Sequence, residues 1–250
     1  MSTVKINPRG KIILISGANR GIGKAITIEL LERGASKIYA GARNIESLND
    51  LIAIYGDRIV PITLDVTDEN SIKSATENIE ELDILVNNAG VFSIGGIFSN
   101  LAKSSLKENL NVNVWGILNL SNAVIKQLKN SDKSAIINIS SLAGLGNMTM
   151  ATTYSVSKAA VHSLTQGMRA ELANSNTLVM GVYPGPIETD MAAAIDMDKD
   201  SPENVAKNIV DGLENGIEDI FPDVMSEQAG ALYATNPKEI EQQFGTFVAS

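Results

Sequence analysis

Residues 11–16, KIILIS, run directly into SGANRGIG and then into a stretch of helical period, and this junction constrains the chain more than any other feature. A strand covered on both faces reads as an unbroken apolar run. A glycine-rich turn after it lets the backbone reverse sharply and offers the free N–H groups of a helix start to an anion. The spacing, Gly17, Gly21 and Gly23 with Asn19, Arg20 and Ile22 between them, is G-x-x-x-G-x-G and not the more widespread G-x-G-x-x-G. A tight strand-to-helix turn with no ligand has the same composition. Its place in the first strand–helix unit is what points to a dinucleotide pyrophosphate.

Five more β-branched runs follow, at 37–40, 58–64, 83–86 (DILV), 135–139 (AIINI) and 177–183 (TLVMGVY). Segments of helical period lie at 21–33, 45–54, 69–80, 103–129, 153–174 and 202–215. This alternation predicts an α/β fold, a doubly wound parallel sheet flanked by helices, and argues against a helix-on-helix bundle. No Pro/Ser/Gly-rich linker divides the chain, so 1–250 is read as a single dinucleotide-binding and catalytic domain. The stretch 93–105 reads as a loop at the working edge. After Pro184 the alternation breaks down: 187–200 reads as a mobile segment, with 190–200 the short substrate segment. Ser201-Pro202-Glu203 then opens a helix with a capping hydroxyl, a proline in the first turn and an acid facing the macrodipole. Residues 222–250 read as an atypical, helical tail.

Composition removes several chemistries. There is no cysteine, hence no disulfide or thiolate, and the single histidine, His162, cannot form a multi-histidine metal site, so no metal is expected. A formal net charge of −9 leaves no electrostatic footprint for nucleic acid or anionic lipid. The opening MSTVKINPRGK has no signal-like apolar core, and no apolar run approaches the ~18 residues of a membrane span. A cytoplasmic location is expected, with neither membrane nor nucleic acid as partner.

In so acidic a chain an anionic ligand must be held by local cations. The end of the second strand in a doubly wound sheet meets the adenosine ribose, about 20 residues beyond the glycines. Here the chain reads Ala40-Gly41-Ala42-Arg43. A guanidinium suits a 2′-phosphate and has no acceptor for a hydroxyl proton. Arg20, inside the glycine turn, is placed to reach the same phosphate. Either arginine alone can be a solvated surface residue; together they favour NADP(H), with NAD(H) as the alternative.

Residues 136–141 (IINISS) end a strand on two serines, and thirteen positions past Ser141 the chain reads Tyr154-Ser155-Val156-Ser157-Lys158. A helix puts Tyr154 and Lys158 on one face. A carbonyl that accepts hydride develops negative charge on oxygen and needs a proton donor there. A phenol of ordinary pKa ~10 is poorly matched to neutrality, and a neighbouring ammonium lowers that value. A serine hydroxyl at the strand end can hold the carbonyl oxygen. Singly these are a packing tyrosine, a chance pair and a capping serine; their order behind a dinucleotide turn points to catalysis.

The motifs GANRGIG (17–23), LDVTD (64–68), NNAG (87–90), NVWG (113–116), NISS (138–141), YSVSK (154–158) and PGPIET (184–189) occur in one order. In that order the chain resembles the short-chain dehydrogenase/reductase family, in its NADP(H)-preferring group, from Lys11 to about Thr189. The resemblance implies a Rossmann-type fold and an enzyme of carbonyl reductase or alcohol dehydrogenase type. Ser141 would polarise the substrate oxygen, and Tyr154 would be the acid in reduction and the base in oxidation. Lys158 would lower the tyrosine pKa and hold the nicotinamide ribose. Asn113 would keep a helix open for a water relaying protons from Lys158. Asp65 and Val66 would border the adenine, Asn87, Ala89 and Gly90 would line the cofactor and brace the sheet, and Pro184, Gly185, Ile187 and Thr189 would meet the nicotinamide end. Ser140 competes with Ser141 and Asn111 with Asn113; the family pattern favours the second of each pair. His162 matches no motif and reads as a packing or helix-surface residue.

The expected partner is a small carbonyl or alcohol compound. The alternatives are an NAD-dependent alcohol dehydrogenase and a non-catalytic dinucleotide-sensing regulator. Many relatives end in a strand and a Val-Asp-Gly-Gly type segment that builds a tetramer. This chain has Ile217-Glu218-Asp219-Ile220-Phe221-Pro222 and a polar tail instead, which leaves a homodimer through 103–129 and 153–174 as the assembly to expect. The brief 190–200 segment, with its Met and Ala residues, implies an accessible pocket tolerant of apolar substrates.

Overall fold

The computed structural model describes residues 4–193 and 195–247. Its strands are β1 (Ile12–Ser16), β2 (Lys37–Ala42), β3 (Ile59–Thr63), β4 (Ile84–Asn87), β5 (Ser134–Ile139), β6 (Thr177–Val182) and β7 (Asp219–Ile220). They form one sheet in the order β3-β2-β1-β4-β5-β6-β7, parallel throughout. This is the doubly wound fold expected. The order reverses between β1 and β4, and the crevice beyond the carboxyl ends of those strands is where such sheets bind ligands.

Successive strand residues point to opposite faces, and β1 sends its apolar residues both ways. Ile13 and Ile15 join Ile26 and Leu30 of α1 (Gly21–Glu32), Leu51 of α2 (Asn49–Tyr55) and Ile209 of α7 (Pro202–Asn215). Leu14 joins Ile72 of α3 (Glu69–Thr76) and Leu120, Val124 and Leu128 further along the chain. Burial on both faces explains why β4, β5 and β6, buried at every position, read as near-continuous apolar runs.

The helix expected at 103–129 is α4 (Ala102–Leu110), a π turn over Asn111–Trp115, and α5 (Gly116–Asn130). Such π turns interrupt helices mostly at functional sites. The next long helix is α6 (Thr152–Glu171). Beyond Pro184 the alternation does continue: β7 pairs Asp219 with Gly181 and Ile220 with Val182. Only Ile220 of its two residues is buried, so it carries no strand-length pattern to read. The segment expected to be mobile at 187–200 is tied at its base. Ile187 bridges Asp200, the Glu188 N–H donates to the Asp200 carbonyl (2.9 Å), and the Asp200 N–H donates to that of Pro186 (3.2 Å). The tail folds as α8 (Val224–Thr235) and α9 (Pro237–Gly245), burying Ala229, Ile240 and Phe244 against Leu142 and Tyr183. Among the described residues no helix is long and apolar enough to cross a membrane.

Candidate active site

Gly17 and Gly21 have φ of 70° and 53°, a left-handed conformation that L side chains resist. The N–H groups of Gly17 and Ala18 both donate to the Gly41 carbonyl (2.8 and 3.0 Å), fastening the turn to the end of β2. Asn88 fastens it from the other side, its amide donating to the carbonyls of Ser16 and Gly17 (3.0 Å each). The Ser16 hydroxyl in turn accepts the N–H groups of Asn88 and Ala89 (3.1 Å each). A Cβ on Gly23 would overlap the Gly17 carbonyl oxygen and the Asn88 amide. Gly23→Ala is therefore expected to destabilise the fold by about 1–3 kcal/mol, a fall in Tm of roughly 3–10 °C for a domain of this size. An unchanged melting curve would contradict this packing.

A cavity of about 780 Å³ opens at the crevice, within the usual range for small-molecule sites. One end is lined by Gly17, Asn19, Arg20, Gly21 and Ile22 with Arg43, Asp65 and Val66; Ala89 and Gly90 lie along it. The other end holds Ser141, Tyr154 and Lys158, and Pro184, Gly185, Ile187 and Thr189 also border it. The Thr67 hydroxyl and N–H, donating at 2.7 and 2.9 Å, hold the Asp65 carboxyl below its ordinary range, helped by the Arg43 charge. Arg20 lies 3.3 Å from Asp190, an exposed pair worth little stability, which links the glycine turn to the segment after Thr189.

Gly23, Asn87 and Asn113 do not border the cavity. Gly23 acts by having no side chain. Asn87, buried, donates to Ser121 (3.1 Å) and Asn138 (2.8 Å) and so braces β4 against α5 and β5. Asn113, fully buried in the π turn, accepts the Val91 N–H (2.9 Å) and donates to the Val91 carbonyl (3.0 Å) and Ser157 (2.9 Å). With three hydrogen bonds to Val91 and Ser157 it clamps the loop carrying Gly90.

Tyr154 lies in the first turn of α6 and Lys158 one turn later. Phe92 packs edge-on against the Tyr154 ring at 4.9 Å. The phenol, expected to be acidified by Lys158, is instead pushed up to about 12 by burial, with the Ser141 hydroxyl bond opposing. The Lys158 ammonium donates to the Ile139 carbonyl (2.7 Å) and sits 5.6 Å from the Tyr154 ring centroid. Burial brings its own pKa down to about 8. Desolvation therefore dominates both groups. Of the two serines, Ser140 donates to the Lys158 carbonyl (3.1 Å), whereas the Ser141 hydroxyl lies beside that of Tyr154 and donates to the Pro184 carbonyl (3.4 Å). His162 bonds to Tyr183 (2.6 Å) outside the cavity.

Asn88 and Asp223 have no role in the sequence reading. Asn88 was within view in the NNAG motif. Asp223, 5% exposed, accepts the Gly185 N–H (2.9 Å) while capping α8 through the Ser226 N–H (2.9 Å). Its capping box with Ser226 was legible as a helix start, but its grip on Gly185 spans 38 residues.

The sequence profile of the short chain dehydrogenases matches residues 11–200. The 3-oxoacyl-(acyl-carrier-protein) reductase FabG of Vibrio harveyi is 35% identical over 199 residues, 78% of this chain and 80% of that protein. A short chain dehydrogenase from Burkholderia cenocepacia J2315, solved in complex with NADP, superposes with a TM-score of 0.89 at 30% identity, covering 96% of this chain and 99% of that one. A short-chain dehydrogenase from Streptomyces avermitilis superposes with a TM-score of 0.83 at 25% identity, covering 92% and 95%.

Proposed function

This chain belongs to the short chain dehydrogenase family, and from that premise we propose that it is an oxidoreductase transferring a hydride between NADP(H) and a carbonyl or alcohol substrate, with NAD(H) as the alternative cofactor. The observation that carries the reading is the continuity of one cavity from the glycine turn to Ser141, Tyr154 and Lys158. The similarity to a dehydrogenase solved with NADP supports it.

The residues at hand fit a dinucleotide. A turn with glycine at 17, 21 and 23 at the start of α1 suits a pyrophosphate, and Arg43, with Arg20, suits a 2′-phosphate. Asp65 and Val66 would border the adenine, Ala89 and Gly90 the middle of the cofactor, and Lys158 would hold the nicotinamide ribose. Pro184, Gly185, Ile187 and Thr189 would shape the nicotinamide end, with 190–200 the substrate segment. When bound, the nicotinamide supplies or accepts the hydride.

The chain's own groups handle the proton. Ser141 hydrogen-bonds the substrate oxygen and aligns it on Tyr154. A phenol held near 12 keeps its proton at neutral pH and gives it up only to a stronger base, which the alkoxide formed by hydride addition is. In the direction of reduction Tyr154 is thus the acid. The Lys158 ammonium supports the charge on oxygen while it stays protonated, below about 8. Asn113 positions these groups by clamping the loop beside them.

The sign of the pH dependence follows. Raising the pH through about 8 discharges Lys158 while Tyr154 remains protonated, so kcat/KM for reduction is expected to fall on that basic limb. A profile flat to pH ~10, the unperturbed lysine range, would remove Lys158 from the reaction. The function itself is tested by offering aldehydes, ketones and diketones with NADPH and NADH in parallel and following nicotinamide absorbance. Faster turnover with NADPH of at least one class is expected. Binding of NADPH without turnover of any would overturn the proposal.

A further inference from the structure

Beyond Tyr154 the cavity is walled by the tail. Phe244 and Phe247 line it and pack edge-on against each other at 5.9 Å. The tail helix can sit this low because position 146 is glycine: a Cβ there would lie 2.6 Å from the Ile240 Cγ2 and 3.3 Å from the Ile240 carbonyl oxygen. Backbone bonds hold it in place. The Met150 N–H donates to the Phe247 carbonyl (2.6 Å), the Thr149 hydroxyl to that of Gly245 (3.0 Å), and the Gly95 N–H to that of Met150 (2.6 Å). The loop after β4, the loop before α6 and the tail thus form one layered wall.

Four of the chain's eight methionines, Met148, Met191, Met197 and Met225, line the same cavity. Thioether side chains are flexible and polarisable and adapt to irregular apolar shapes. The cations lining the cavity are placed elsewhere. Arg20, Arg43, Asp65 and Asp190 belong to the glycine-turn end, Lys158 to the reacting group, and Glu108 to α4. An anionic substrate would meet no free cation among the described lining residues of this half, and one carboxylate.

Resting on the reading of the chain as a carbonyl reductase, we propose that this half is a subsite for bulky, uncharged, apolar carbonyl compounds, with Phe247 and Phe244 of the tail as its specificity-determining residues. Phosphorylated or carrier-bound acyl compounds are then poor substrates, which separates this chain from the acyl-carrier-protein reductases it resembles.

Full-length chain is assayed with NADPH against decalone, diacetyl and acetoacetyl-coenzyme A, and the Kd of decalone is measured calorimetrically on chain saturated with NADP+, where no turnover occurs. Decalone is expected to exceed acetoacetyl-coenzyme A by roughly 100-fold in kcat/KM, the scale on which unmatched polar groups are rejected. Phe247→Ala, at a half-buried position that carries little of the core, is expected to raise KM and Kd for decalone about ten-fold, with a smaller rise in KM for the compact diacetyl. Equal use of acetoacetyl-coenzyme A and decalone, or a decalone Kd indifferent to Phe247→Ala, overturns the subsite. Should diacetyl turn over while decalone fails to bind, the subsite falls and the reductase stands. Should decalone bind tightly through Phe247 with no carbonyl reduced, the reductase falls and the apolar subsite stands.

Discussion

Tyr154→Phe is expected to abolish carbonyl reduction to within roughly a thousandth of the original rate or less, the scale of general acid catalysis, while NADPH still binds. The substitution removes one hydroxyl and leaves the ring against Phe92, so the start of α6 keeps its packing. The hydroxyl lies beside Ser141, the group that would hold the substrate oxygen. Nothing in the glycine turn or at Arg43 depends on it, so cofactor affinity should change by less than about three-fold, under 1 kcal/mol. Stopped-flow turnover and calorimetric titration with NADPH separate the two quantities. Retention of most activity would mean that the proton comes from elsewhere, and the hydride-transfer reading of this cavity would lose its chemistry.

Arg43→Asp is expected to lower kcat/KM with NADPH by roughly 100-fold, the loss of a charge-assisted bond to phosphate plus repulsion from a carboxylate. With NADH the change should be small or an improvement, because an acid at the end of the second strand accepts a ribose hydroxyl. Arg43 lines the cavity and its field already acts on Asp65, so the reversal is felt locally. Parallel KM determinations with the two cofactors check it. An equal response to both would mean that Arg20 and the glycine turn hold the dinucleotide without discriminating the phosphate.

What was legible in the sequence was what short stretches encode by themselves. Gly17 and Gly21 sit in a backbone conformation that their residue type alone advertises, and the buried strands read as apolar runs. Tyr154 and Lys158 fall on one face because helical spacing decides it. The misses are all long-range. Asn87 was expected to line the cofactor and to brace the sheet; it braces, away from the cavity, because its face of β4 is set by Asn138 and Ser121 across the sheet. The π turn at Asn111–Trp115 agrees with the helix that the family resemblance has Asn113 hold open, but the bonds between Asn113 and Val91 and Ser157 that hold it are invisible in a helical pattern. β7 has two residues and borrows its identity from β6. The Tyr154 pKa was predicted in the wrong direction because spacing reveals neighbours but not desolvation. The apolar wall of the tail escaped notice because Gly146, its seat, lies some hundred residues earlier in a loop with no motif.

Because every strand points the same way, Ser141, Tyr154 and Lys158 gather at one rim of the sheet, away from the rim where the strands begin. There Lys11 pairs with Asp83 at 2.9 Å, Ser131 donates to the same carboxylate at 2.6 Å, and the chain turns into β2 by Gly34 and into β6 by Asn176. These groups serve as mortar between helices and strands. A fusion partner, an affinity handle or a tether to a solid support attached on that rim would leave the catalytic mouth facing outward, unobstructed, and free to exchange its reactants with the surrounding solution.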